Sequence, residues 1–241
     1  MTLREKITMG QFVVTAEMTP PQGADGDIIR RKAVHFQKGV DGVNFTDNQT
    51  AIVRLSSIAA ARIALEEGLE SIIQMTCRDR NRIAIQSDLL GAAALGIENV
   101  LCLTGDHQRF GNHPEARSVF DLDSVQLIAT VQRLTEGYFL SGEPIKKPPV
   151  LFIGGAANPF ADPLGFRVIR LAKKIQAGAR FIQTQPVYDL DRYQEWMEGV
   201  RAQRLHKKTA ILAGVMPVRS VKALLHIENK VPGIRVPKSC F

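Results

Sequence analysis

The 241-residue chain has three cysteines, Cys77, Cys102 and Cys240, and no Cys-x-x-Cys pair. An odd count without that spacing argues against a disulfide framework and a structural zinc site; it predicts reduced thiols, with Cys77 and Cys102 as small core residues. Aromatic residues are only 6% of the chain, too few for the stacking platforms on which bases are read, so nucleic acid is not an expected partner. No window approaches the roughly 20 apolar residues of a membrane span. The opening MTLREKITMGQF mixes charges of both signs with no continuous apolar segment. A cytoplasmic protein without a membrane partner is expected. Asn48-Gln49-Thr50 fits the glycosylation acceptor pattern, but that reading requires secretion, for which nothing else speaks.

Several signatures are missing as well. No Gly-x-Gly-x-x-Gly follows an apolar run, and no Gly-x4-Gly-Lys-Ser/Thr, His-Glu-x-x-His or Gly-x-Ser-x-Gly occurs. A Rossmann turn, a P-loop and the usual hydrolase sites lose support, and no metal is expected. What the chain does have is 45% hydrophobic content, ample for a core, and a formal charge of +7. That charge suits anionic ligands, although Lys and Arg are scattered among acids apart from short clusters such as Lys146-Lys147.

Short apolar runs alternate with longer amphipathic stretches. Strands are predicted near 12–18, 42–46, 71–76, 99–104, 150–155, 181–186 and 210–216. Helices are predicted over 28–38, 56–67, 80–95, 124–134, 164–177, 190–201 and 220–228. Gly68, Gly96 and Gly178 stand where helix ends need a left-handed cap. The alternation predicts a parallel α/β fold in a single domain over 1–241, read as a TIM (β/α)8 barrel lacking most of its eighth βα unit, unless the sheet is open. A sheet short of one strand exposes a seam, so the expectation is a fragment of a longer chain, or an oligomer or complex completed by a partner.

In such folds ligands gather beyond the carboxyl ends of the strands. There the chain offers Glu17 before Thr19-Pro20-Pro21, Thr46-Asp47, Gln74 to Arg82, Thr104-Gly105-Asp106, and Gln183-Thr184-Gln185. Glu17 interrupts an apolar run, so partial desolvation would raise its pKa and suit it to general acid work; pairing with a neighbouring cation is the alternative. Gln183 and Gln185 could read a heterocycle's edge or satisfy one another inside the sheet. In Arg78-Asp-Arg-Asn-Arg82, Asp79 is expected to cap the next helix while the arginines pair with acids, rather than form a phosphate patch.

Taken in order, Glu17-Met-Thr-Pro-Pro21, Thr46-Asp47, Thr76-Cys-Arg-Asp-Arg-Asn-Arg82, Leu103-Thr-Gly-Asp106, Thr184-Gln-Pro-Val-Tyr-Asp189 and Gly214-Val-Met-Pro217 make the chain resemble the methylenetetrahydrofolate reductase family from about residue 10 onward. The resemblance implies a flavoprotein oxidoreductase that reduces 5,10-methylenetetrahydrofolate to 5-methyltetrahydrofolate, in one-carbon metabolism and methionine biosynthesis. It implies FAD, with FMN possible, and electrons from NAD(P)H or a partner electron-transfer subunit. By position, Glu17 matches the family's proton donor, Asp106 its acid beside flavin and pterin, and Gln185 its folate-binding amide. Thr46, Gln74, Thr104, Gly105, Asp106, Asn158 and Lys174 fall where members contact the flavin. Gln74, Thr104 and Asn158 replace a His, an Arg and a His of well-known members, Gly154 and Gly155 an aromatic and a proline, and Arg167 an acid. An arginine for the folate tail, carried by the eighth unit of members, has no counterpart. Two rival readings are a flavin-free, pterin-binding methyltransferase barrel and a non-catalytic subunit of a reductase complex.

Overall fold

The computed structural model describes residues 1–218, 220–230, 234, 236 and 237. They fall into two compact units, Met1–Gly154 and Gly155–Phe241.

In the first unit a short helix, α1 (Leu3–Thr8), precedes β1 (Thr15–Met18), α2 (Asp27–Ala33), β2 (Gly42–Phe45), α3 (Ser57–Glu66), β3 (Ser71–Thr76), α4 (Arg82–Ala94), β4 (Asn99–Leu103) and α5 (Ser124–Thr135). The strands pair in parallel with their chain neighbours, Thr15 opposite Gly42, Val43 opposite Ser71 and Ile72 opposite Asn99. Every residue of β2 and β3 is buried, as strands covered on both faces are, and buried polar members find partners, the Asn44 amide on the Ala16 carbonyl and the Ser71 hydroxyl on the Ala61 carbonyl. Phe45, Ile72, Ile73 and Met75 are essentially inaccessible, each such side chain contributing about 1.5–3 kcal/mol by burial. β5 (Phe152–Ala157) begins in this unit, where the Phe152 amide donates to the Glu98 carbonyl.

The second unit continues with α6 (Leu164–Ala177), β6 (Phe181–Pro186), α7 (Leu190–Ala202), β7 (Ala210–Gly214) and α8 (Val221–Lys230). Phe181 lies opposite Ala210 in a parallel pair whose register shifts between Gln183 and Pro186. Trp196 and Val200 of α7 are fully buried. The strands follow in chain order from β1 to β7, giving the expected TIM-like α/β fold through seven βα units. No eighth strand occurs among the described residues, and most of the tail after Lys230, where the sequence offers the start of a further unit, lies outside them.

Local departures from the sequence reading have physical causes. β1 begins at Thr15 rather than near 12, because the Asp41 carboxylate accepts the Val14 amide and Phe12 is 91% exposed. β5 starts two residues late: Pro148 and Pro149 have no amide to donate, and Val150 is exposed. α2 stops at Ala33 because Val34, His35 and Gln37 face solvent and leave the helix no apolar side to bury.

Candidate functional site

In the first unit the carboxyl ends of β1 to β4 carry the polar groups. The Gln74 amide of β3 donates to Glu17 Oε2 at 3.1 Å, across the intervening β2. Glu17 is open to solvent as a residue, yet protein crowds its carboxyl. Burial raises its pKa above the ordinary 4.5, while the bond from Gln74 opposes the rise. The upward direction holds because surrounding protein disfavours the charged form, and water access tempers its size.

After β2, Thr46 is buried and its Oγ1 has no hydrogen-bond partner among the described residues. Asp47, 3% exposed, accepts from the Thr76 amide at 2.9 Å, the Thr76 hydroxyl at 2.8 Å and Arg80 Nη1 at 2.7 Å. Arg80 also reaches Asp88 at 2.8 Å. A buried pair of this kind is costly to break, about 3–5 kcal/mol when one partner is removed.

After β4, Thr104 Oγ1 accepts the Ser124 amide at the start of α5. Gly105 takes φ +94°, and a Cβ there would stand 3.0 Å from Thr76 Cβ and 3.1 Å from Arg78 Cβ. Only glycine combines that backbone with so close an approach to β3. Asp106 Oδ2 accepts the Thr50 amide at 3.1 Å.

In the second unit, Asn158 follows β5 and its Oδ1 accepts the Phe160 amide at 2.9 Å. Lys174, on the buried side of α6, donates to the Ala156 carbonyl. Gln185, next to last in β6, is half-exposed. The Thr184 hydroxyl beside it donates to the Gln185 carbonyl and accepts the Gly214 amide, both at 2.9 Å.

A family profile described as methylenetetrahydrofolate reductase matches residues 2–241. The chain belongs to the methylenetetrahydrofolate reductase family. It is 27% identical over 237 residues to methylenetetrahydrofolate reductase (NADH) 1 of Arabidopsis thaliana, covering 92% of this chain and 39% of the relative. It is 25% identical over 256 residues to a probable methylenetetrahydrofolate reductase (NADH) of Oryza sativa subsp. japonica, covering 95% and 40%. The chain thus spans about two fifths of the length of these relatives. Among solved structures, an uncharacterised protein from Clostridium thermocellum that binds two copies of 5-methyl-5,6,7,8-tetrahydrofolic acid superposes with a TM-score of 0.68 at 16% identity, covering 98% of this chain and 76% of that one. A 2,3-dimethylmalate lyase superposes with a TM-score of 0.57 at 13% identity, over 97% and 78%. At such identities the likeness is one of fold.

Within this family member, the first unit brings Glu17 and Gln74 into contact, sets Gly105 against β3 and seats Asp106 on the loop after β2. Asn158, Lys174 and Gln185 belong to the second unit. The cap of α4 is a correction: Asn81, not Asp79, accepts the Ile83 and Ala84 amides at 3.1 Å. Asp79 instead takes a two-point bond from Arg78. The arginines do pair with acids, Arg82 with Asp121 at 2.9 Å included. Arg78 is the organising residue that sequence reasoning missed, and its position directly after Cys77 at the β3 edge was the available signal. Cys77 and Cys102 are buried free thiols; Cys240 lies outside the described residues. No group of three metal-ligating side chains is gathered among the described residues.

Proposed function

We propose that this chain carries the folate-reducing chemistry of its family: reduction of 5,10-methylenetetrahydrofolate to 5-methyltetrahydrofolate with Glu17 as general acid. The observation that carries the reading is the Glu17–Gln74 pair, a carboxyl with raised pKa at a strand's carboxyl end, open to solvent and oriented by an amide. Gln74 occupies Oε2, which leaves Oε1 to hold the proton. Donation of that proton to the substrate nitrogen that leaves the methylene carbon opens the folate's five-membered ring and makes the carbon electrophilic. Asp106, as a carboxylate, would offset the positive charge that develops there, and Gln185 would bond the pterin edge.

A bound reduced flavin would supply the hydride. The Thr46 hydroxyl, without a hydrogen-bond partner among the described residues, suits the polar edge of such a ring. Gln74, Thr104 and Asn158, however, already hold protein groups, and none is a cation that could bind phosphate. Lys174 is the cation of the set, and it too holds a protein group, the Ala156 carbonyl. FAD is the proposed cofactor and FMN its alternative; NAD(P)H or a partner electron-transfer subunit is the proposed donor.

Denaturing the purified protein and weighing what it releases tests the cofactor: FAD or FMN supports the reductase reading, whereas a colourless protein that binds folate favours methyl transfer. Rapid mixing tests the acid. Glu17→Gln should leave flavin reduction intact and slow folate reduction by roughly 10²- to 10⁴-fold. Equal slowing of both half-reactions, or of neither, would remove Glu17 from the chemistry.

A further inference from the structure

The loop after β2 keeps a backbone it would not choose for itself. Asn48, Thr50 and Ala51 have φ of 47°, 57° and 56°, and non-glycine residues stay in that region only where their surroundings hold them. Arg78, 2% exposed, is placed to do so. Its Nη2 donates to the Asn48 carbonyl and its Nη1 to the Asp106 carbonyl, both at 3.3 Å, while Asp79 takes Nε at 2.8 Å and Nη2 at 2.7 Å. The planar fork therefore ties the loop after β2 to the loop after β4.

Both loops reach further. Thr50 donates to Asp106 Oδ2 and Val53 to Asn112 Oδ1 at 3.2 Å. Gly111 packs so closely on Ala51 that a Cβ would fall 1.8 Å from its carbonyl oxygen. On the other side, Arg54 Nη1 donates to Pro20 O at 3.1 Å, Leu55 to Pro21 O at 2.8 Å, and Thr19 Oγ1 to Gln49 Oε1 at 3.2 Å.

We propose that Arg78 is a positioning residue: it holds the 48–55 loop as a bridge that sets the turn after Glu17 and the turn bearing Asp106 in one arrangement. The inference rests on the reductase reading of Glu17 and Asp106. It predicts that the fork matters, not the charge, because Asp79 already neutralises the guanidinium. A lysine has no planar pair of donors with which to span two carbonyls.

The test is amide hydrogen exchange at Thr50 and Val53, with folate kinetics, in Arg78→Met, Arg78→Lys and Gly111→Ala. All three should exchange at least about tenfold faster at both amides, with Lys failing to rescue Met. Folate reduction should slow by up to about 10²-fold, the cost of a misplacement near 1 Å, while flavin reduction by the donor is unchanged. Asp106→Asn should add little in the Arg78→Met background, since coupled residues are not additive. Unchanged exchange, additive effects or rescue by lysine would overturn the proposal. Exchange needs no substrate, so a wild-type chain that does not turn over folate refutes the reductase reading while exchange still decides whether Arg78 holds the loops. If Arg78→Met does not fold, Gly111→Ala, which keeps Arg78, decides: loop opening without kinetic loss overturns the bridge.

Discussion

Single side chains give the sharpest tests. Burial raises the Glu17 pKa in the folded chain, so the folded state binds that proton more tightly than the unfolded one. The pair is therefore neutral in its effect on stability below the unfolded value and becomes a penalty as pH rises through the folded one. Glu17→Gln should melt higher than wild type at pH 8, with the gap closing towards pH 4; a constant gap in thermal melts would mean the group titrates normally. Asp106→Asn should weaken folate binding and slow the folate half-reaction, readable by titration and rapid mixing, because an amide cannot offset developing positive charge. Cys77, with burial first and the Asp123 charge second, has its thiol pushed up to about 12 against the pull of Arg80. At pH 8 iodoacetamide should leave the Cys77 and Cys102 peptides unmodified until the chain unfolds, as peptide mass spectrometry would record.

At the level of the element, caps and close approaches decide where segments end. Asn81→Ala should cost about 1 kcal/mol by removing the acceptor for two amides at the start of α4, whereas Asp79→Ala should leave that helix end intact; helix melting in the two variants separates them. Gly214→Ala would place a Cβ 2.6 Å from the Thr184 carbonyl oxygen. Overpacking against backbone costs about 1–3 kcal/mol, which at about 2–4 °C per kcal/mol is readable by calorimetry. These cases also mark what the sequence could tell. The βα alternation was legible because buried parallel strands carry apolar cores without polar alternation, as Val100 to Leu103 does in β4, bounded by Gly105. α1 was missed although Thr2 and Glu5 form a capping box, because six residues with one buried leucine carry little periodicity. Asp79 and Asn81 are both good caps on paper, and only the fork of Arg78, which claims Asp79, decides between them. The contact of Glu17 with Gln74 spans 57 positions, and nothing local in either segment announces it.

For the molecule as a whole, charge sets the acid limit. The Lys6 bond holds Asp41 below its ordinary value, with burial opposing. Burial likewise works against Asp79, where the bond and charge of Arg78 prevail. Arg82 brings the half-buried Asp121 to about 2. Carboxyls lowered in the folded state contribute stability that is present above their unfolded values near 3.9 and is lost as pH falls through the folded ones. With a net charge already at +7, their protonation adds repulsion, and unfolding followed by circular dichroism should steepen between about pH 4 and pH 2. Lys6→Met should move the onset upward by removing the partner of Asp41. The parallel pairing in chain order has a further consequence. Thr15 with Gly42, Val43 with Ser71, Ile72 with Asn99 and Phe181 with Ala210 each close a loop of roughly 28 residues, a short and nearly constant entropic step. A chain emerging from the ribosome can thus lay β2, β3 and β4 each on a neighbour already made within about thirty residues, and β7 on β6 likewise, while β5 comes only after the longer stretch from Asn99 to Phe152, so that translation and folding advance in the same direction.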